Sequence, residues 1–126
     1  MKKILIVEDE APLLKALEEE LGEGEEFKVL TAKDGKEGID LALKERPHLI
    51  LLDLLMPTMD GIAMLKQLRK DSWGKDVKVI ILTNLQDREK VAEAVENRVY
   101  DYLVKSNWQL GDVRKRVQAE LRDIQE

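Results

Sequence analysis

Short apolar runs and helically spaced apolar stripes take turns along this chain five times. Ile4-Leu5-Ile6-Val7, Leu49-Ile50-Leu51-Leu52, Val79-Ile80-Ile81-Leu82 and Tyr102-Leu103-Val104 mark strands, and a fifth, less apolar run lies near 28–32. The predicted strands are 3–8, 28–32, 48–53, 77–83 and 101–104. The first, third and fourth are almost continuous Ile, Leu and Val, the pattern of strands covered by helices on both faces. Between them Leu13, Leu14, Leu17 and Leu21 form one helical stripe. Ile39 and Ala42 form a weaker second, and Ile62, Leu65 and Leu68 a third. Val91, Ala94 and Val95 form a fourth, and Leu110, Val113, Val117, Leu121 and Ile124 the clearest. Asp34, Asp60 and Asn107 are positioned as N-caps. Pro47 separates the second helix from the third strand. Strict alternation implies a parallel sheet with right-handed crossovers. The predicted fold is α/β, flavodoxin-like (βα)5, with a five-stranded parallel sheet in the order 2-1-3-4-5 and its switch point between strands one and three.

Each of four runs ends in a polar group suited to phosphoryl chemistry. The first meets Glu8-Asp9, the third strand ends in Asp53, the fourth reaches Thr83-Asn84, and the fifth reaches Lys105. In an open α/β sheet these ends share one edge, where ligands bind. A carboxylate such as Asp53 is already the anionic nucleophile at neutral pH and can form an acyl phosphate. The obstacle is charge, because the incoming group and the pocket are both negative. Mg²⁺, with about six oxygen ligands including one or two carboxylates, resolves it. Asp9 and Asp53 would supply two ligands, with Glu8 direct or through water. Lys105 would pair with a phosphoryl oxygen and Thr83 would donate a hydroxyl hydrogen bond. Each residue alone has a plainer role: Asp9 as cap of the first helix, Thr83 or Asn84 as cap of the fourth, Asp53 as a turn residue, Lys105 as a solvated lysine. Their coincidence at four strand ends carries the functional reading.

Composition bounds the picture. The 126 residues suit one domain. With 44% hydrophobic and 37% charged residues, a packed core under a polar surface is expected rather than disorder. A formal net charge of −5 argues against a nucleic-acid surface built on phosphate neutralisation. No cysteine is present, which removes disulfides and thiolate metal sites. The first apolar run is too short for a signal core or membrane span, so a cytoplasmic, soluble protein without membrane partners is expected.

With those residues in place, the sequence resembles the receiver domain of bacterial two-component response regulators, including chemotaxis-regulator-like forms. The likeness runs over essentially the whole chain. It rests on Asp53-Leu54-Leu55-Met56-Pro57-Thr58-Met59-Asp60-Gly61, on Val7-Glu8-Asp9-Glu10, on Ile80-Ile81-Leu82-Thr83 and on Asp101-Tyr102-Leu103-Val104-Lys105. The resemblance implies that Asp53 accepts a phosphoryl group from a sensor histidine kinase or histidine phosphotransfer protein. It implies Mg²⁺ held by Asp9, Asp53 and the backbone carbonyl of Leu55, with Glu8 helping through water. It implies a switch in which Thr83 turns toward the phosphoryl group and Tyr102 swings inward. The surface of helix 4, strand 5 and helix 5 then changes toward a downstream effector. Such a domain is a signalling module that catalyses only its own phosphorylation and dephosphorylation. It acts as a monomer or as a phosphorylation-dependent homodimer. Residues 1–126 are expected to be the receiver domain alone, without an output domain, whether free-standing or as the N-terminal part of a DNA-binding regulator.

Four positions depart from the family's usual pattern. Ser106 follows Lys105 where Pro is usual, and a cis bond without Pro costs about 2.5–4 kcal/mol. Asn84 replaces a small residue. Arg98 stands where Gly often ends the fourth helix, with Asn97 expected to take the left-handed turn instead. Tyr100 is bulkier than usual. Leu55 and Leu85, two residues beyond Asp53 and Thr83, are apolar where they flank water's approach, and Asn84 adds bulk. Slower self-hydrolysis than in a variant with polar residues at these positions is expected.

The remaining singular residues read as structural. His48, the one histidine, begins a strand away from the acidic edge and makes a zinc site improbable. Trp73 falls in a loop. Trp108, at the start of the last helix, packs there or anchors a partner. Arg114-Lys115-Arg116 reads as a solvated face with partner contact as the alternative. Residues 22–26 form an acidic turn, and no P-loop is present. Two other readings compete. A haloacid-dehalogenase-type phosphohydrolase wants a second Asp where Leu55 stands. A flavin or nucleotide binder wants hydroxyls and glycines where Glu8-Asp9 stand.

Overall fold

The computed structural model describes residues 1–56, 58–83, 88–99, 101–104 and 109–122. The elements run β1 (Lys2–Val7), α1 (Ala11–Gly22), β2 (Phe27–Ala32), α2 (Gly35–Glu45), β3 (Leu49–Asp53), α3 (Gly61–Arg69), β4 (Lys78–Thr83), α4 (Arg88–Glu96), β5 (Asp101–Val104) and α5 (Leu110–Leu121). All strand pairs are parallel and the order is β2-β1-β3-β4-β5, as the alternation predicts. Predicted strand limits differ from these by one residue at most.

Side-chain alternation along the buried strands divides the core in two. Leu5, Val7, Ile50, Leu52, Val79 and Ile81 face α2, α3 and α4. Ile4, Ile6, Leu49, Leu51, Ile80 and Leu82 face Leu14, Leu17 and Leu21 of α1 and Val113, Val117 and Leu121 of α5. A continuous apolar run is therefore two half-strands of period two, each with its own helical layer. Among the described residues no helix is long and apolar enough to cross a membrane.

Asp34 and Asp60 cap as predicted, accepting from the Glu37 and Ala63 backbone N–H groups at 2.9 Å each. Three expectations fail, as does the plainer alternative that Asp9 caps the first helix. The N-cap of α5 is Gln109, in a reciprocal capping box with Asp112, rather than Asn107; the helix starts later and its own third residue completes the cap. Glu10, not Asp9, is the N-cap of α1, without a side-chain bond, and Pro in the first turn starts the helix instead. Arg98, not Asn97, takes the left-handed conformation (φ 67°) after α4; Asn97 instead donates its side-chain amide to the Glu93 carbonyl at 2.8 Å. Val95 is 45% exposed, because α4 lays Ala94 rather than both residues on the sheet.

The basic run on α5 is solvated at Lys115, while its two arginines make ion pairs within the fold. Arg114 donates Nε to Glu20 Oε2 (3.1 Å) and Nη1 to Glu26 Oε1 (3.4 Å), tying α5 to α1 and the turn before β2. Arg116 pairs with Asp101 at the start of β5. His48 sits at the opposite end of the sheet from the acidic edge, where its Nδ1 accepts from the Lys3 N–H at 2.9 Å and its own N–H donates to the Lys3 carbonyl. Trp73 is half-buried against the core in the turn after α3. Asn84, Leu85, Tyr100, Lys105, Ser106, Trp108 and Ile124 lie outside the described residues.

Candidate functional site

Register brings the strand ends together. Val7 pairs with Leu52 and Asp53 with Leu82, so Glu8, Asp53 and Thr83 lie along one sheet edge at the switch between β1 and β3. Ligand-presenting carboxylate oxygens of Glu8, Asp9 and Asp53 all lie within 4.8 Å of one another. Glu8 is fully buried, Asp53 is 4% exposed and Thr83 2% exposed, while Asp9 is exposed. Glu8 is held by its backbone N–H donating to the Ala32 carbonyl (3.1 Å), and its Oε2 accepts from the Glu10 N–H (3.2 Å). Asp53 Oδ1 accepts from the Leu55 N–H at 3.3 Å, which folds residues 53–55 into a tight turn under the carboxylate. Leu55 itself is 45% exposed.

Three carboxylates this close repel one another, and burial sharpens the repulsion. A divalent cation relieves it. The donors are hard oxygens, some buried and one open to solvent, a set that suits Mg²⁺ with part of its shell left to water or substrate. Val104, the last residue of β5, pairs with Thr83; Lys105 lies outside the described residues. Tyr102 is 49% exposed on β5, opposite Ile81.

Two glycines set the loop between β3 and α3: Gly61, which closes the motif beginning at Asp53, and Gly35, which apolar periodicity does not mark. The Gly35 N–H donates to the Met59 carbonyl at 2.9 Å, and the Gly61 N–H to the Leu54 carbonyl at 3.0 Å. A Cβ on Gly61 would lie 2.8 Å from Leu54 Cα and overlap the Asp53 carbonyl oxygen; one on Gly35 would lie 2.9 Å from the Met59 carbonyl carbon. The loop is thus pressed between the first turns of α2 and α3. The signal lies in two Asp-Gly pairs, 34–35 and 60–61: both Asp residues read as caps, and the second pair also belongs to the motif that carries the resemblance. Thr58 within this loop holds φ 68°, a left-handed conformation uncommon for a non-glycine residue.

A family model described as the response regulator receiver domain matches residues 4–118. The probable transcriptional regulator ycf27 of Guillardia theta is 39% identical over 121 residues, covering 96% of this chain and 46% of that protein. The chain spans about half the length of the curated relatives it matches first. The chemotaxis protein CheY4 of Vibrio cholerae superposes with a TM-score of 0.85 at 29% identity, covering 94% of this chain and 98% of that one. The receiver domain of the sensor histidine kinase PA1611 from Pseudomonas aeruginosa, solved with a magnesium ion coordinated in its active-site cleft, superposes with a TM-score of 0.78 at 25% identity over 94% of this chain and 95% of that one.

Proposed function

Because the chain belongs to the response regulator receiver domain family of two-component signalling, we propose that it accepts a phosphoryl group on Asp53 from a phosphohistidine of a sensor kinase or phosphotransfer protein. The observation that carries this reading is the convergence of the Glu8, Asp9 and Asp53 carboxylates within 4.8 Å at the switch point of the sheet. Asp9 and Asp53 are the side-chain ligands proposed for Mg²⁺, with the Leu55 carbonyl beside them and Glu8 acting through water. A magnesium ion in the cleft is recorded for the PA1611 receiver domain, and the oxygen set here fits the same ion. When bound, Mg²⁺ supplies charge neutralisation for the carboxylates and the phosphoryl oxygens.

Asp53 Oδ attacks phosphorus in line, the O–P bond forms as the P–N bond breaks, and the imidazole leaves. The Leu55 N–H, donating to Oδ1, orients the carboxylate for that attack. The Thr83 hydroxyl and the Lys105 ammonium hold phosphoryl oxygens. Thr83, buried at the end of β4, then turns toward the phosphoryl group. Tyr102, whose exposure suits an outward starting position, moves in behind it. The surface of α4, β5 and α5 changes and selects an effector. Catalysis in this reading is limited to the domain's own phosphorylation and dephosphorylation, in the cytoplasm. The transcriptional role in the ycf27 name belongs to a protein of which this chain spans 46%.

Beryllofluoride with Mg²⁺ tests the proposal. A receiver forms a one-to-one adduct that requires Asp53 and changes the surface around Tyr102. Turnover of an external phosphoester, or flavin binding with no adduct, contradicts it.

A further inference from the structure

Helix α4 touches the phosphoacceptor loop by a route that does not run along the sheet. Lys90, in the first turn of α4, places Nζ 3.6 Å from Oδ2 of Asp60. The other oxygen of Asp60 caps α3 by accepting from the Ala63 N–H at 2.9 Å. The residue after Asp60 is Gly61, whose N–H donates to the Leu54 carbonyl and whose Cα leaves no room for a Cβ against the Asp53–Leu54 backbone. The Asp60 carboxylate thus joins the charge on α4 to the start of α3, and the next residue, Gly61, joins that start to the backbone that presents Asp53. The opposite end of α4 is anchored differently. Arg69 donates Nε to the Asn97 carbonyl (2.8 Å) and Nη1 to the Gly74 and Val77 carbonyls (2.7 and 2.8 Å). The C-terminal end of α4 is therefore held by a multidentate guanidinium, while Lys90 near its N-terminus makes an ion pair with Asp60 at the end of the loop. A second α3–α4 pair, Lys66–Glu93 at 3.4 Å, lies away from the loop.

We propose that Lys90 is a positioning residue that acts through Asp60 on the loop carrying Asp53, giving α4 a contact with the phosphoacceptor independent of Thr83 and Tyr102. The inference rests on Asp53 being the acceptor. Both members of the pair are about one-third exposed, so the coupling is that of a surface ion pair. The expected effect on phosphoryl transfer is a two- to fivefold slowing, about 0.4–1 kcal/mol.

The experiment follows adduct formation from acetyl phosphate and Mg²⁺ by intact mass. It compares wild type, Lys90→Met, Lys90→Arg, Asp60→Asn, the double variant Lys90→Met/Asp60→Asn, and Lys66→Met. Asn keeps the helix cap while losing the charge, so Asp60→Asn reports the pair rather than the fold. The proposal expects Lys90→Met and Asp60→Asn each to lower the rate at saturating donor while leaving the half-saturating donor concentration unchanged. It expects the double variant to be no slower than either single one, Lys90→Arg to restore the rate, and Lys66→Met to match wild type. Additive effects, equal slowing by Lys66→Met, or no slowing at all would overturn it while leaving Asp53 as acceptor. Absence of any adduct in wild type would overturn the acceptor assignment and this inference together.

Discussion

Replacing Gly61 by Ala tests how tightly the fold holds its phosphoacceptor. The added Cβ would sit 2.8 Å from Leu54 Cα and 3.0 Å from the Asp53 carbonyl carbon. Carbon atoms in contact prefer about 3.5–4.0 Å, so the shortfall is about 1 Å. Both neighbours are backbone, and no side-chain rotation can relieve it; either α3 or the Asp53 loop must move. Overpacking of this kind costs about 1–3 kcal/mol of stability. A displacement near 1 Å at a reacting carboxylate slows the reaction by on the order of a hundredfold. Gly111 in α5 is the matched control, since a Cβ there meets nothing within 4 Å; its change to Ala is expected to stabilise by about 0.4–1 kcal/mol through the unfolded chain. Urea midpoints at constant slope, together with the rate of acetyl phosphate labelling, provide the assay. A Gly61→Ala protein with an unchanged midpoint and a labelling rate within about twofold of wild type would refute the close-approach reading.

Three other outcomes are expected. Burial, then the hydrogen bond to Glu120, raises the Asp101 carboxyl above its ordinary 3.8, against the opposing pull of Arg116. The native state therefore holds that proton more tightly than the unfolded chain, and this group's contribution to stability falls as pH rises from 3.8 to the raised value. Asp101→Asn should remove that fall, and a difference in urea midpoint between wild type and variant that does not change with pH across this window would contradict it. Leu55, 45% exposed two residues beyond Asp53, should retard water, so Leu55→Asn should shorten the life of the phosphorylated protein severalfold; equal or longer persistence by intact mass counts against the idea. Asp34→Ala should cost about 1 kcal/mol through the lost bond to Glu37, whereas Glu10→Ala, with no side-chain cap bond to lose, should cost less when the two are compared by thermal melts.

The sheet was legible because its strands are buried on both faces, and an unbroken Ile/Leu/Val run has few other uses. The sheet edge was legible for a related reason: once the strands are parallel, the residue following each run must arrive at the same side. What escaped the pattern were contacts between residues remote in sequence. Arg114 reaches Glu20 across 94 positions, and Arg69 closes on Asn97 across 28. Hydrophobic periodicity reports which face of a helix is buried, not which charge stands opposite a surface arginine. Asn107 is the residue type that local preference favours as a cap of α5, yet Gln109 takes the position through its pairing with Asp112 in the helix's first turn. The left-handed Arg98 shows tertiary anchoring overriding local preference: its carbonyl accepts from Arg69 and its own guanidinium donates to the Lys75 carbonyl. The tight seating of Gly35 and Gly61 depends on backbone approach, which no pattern of apolar residues encodes.

Peptide mapping after acetyl phosphate treatment in the presence and absence of Mg²⁺ tests the central claim most directly. One phosphoryl group on Asp53, formed only with the metal, blocked by Asp53→Asn and strongly slowed by Asp9→Asn, is the predicted result. Label on another residue, or labelling of Asp53 that ignores both the metal and Asp9, would contradict it.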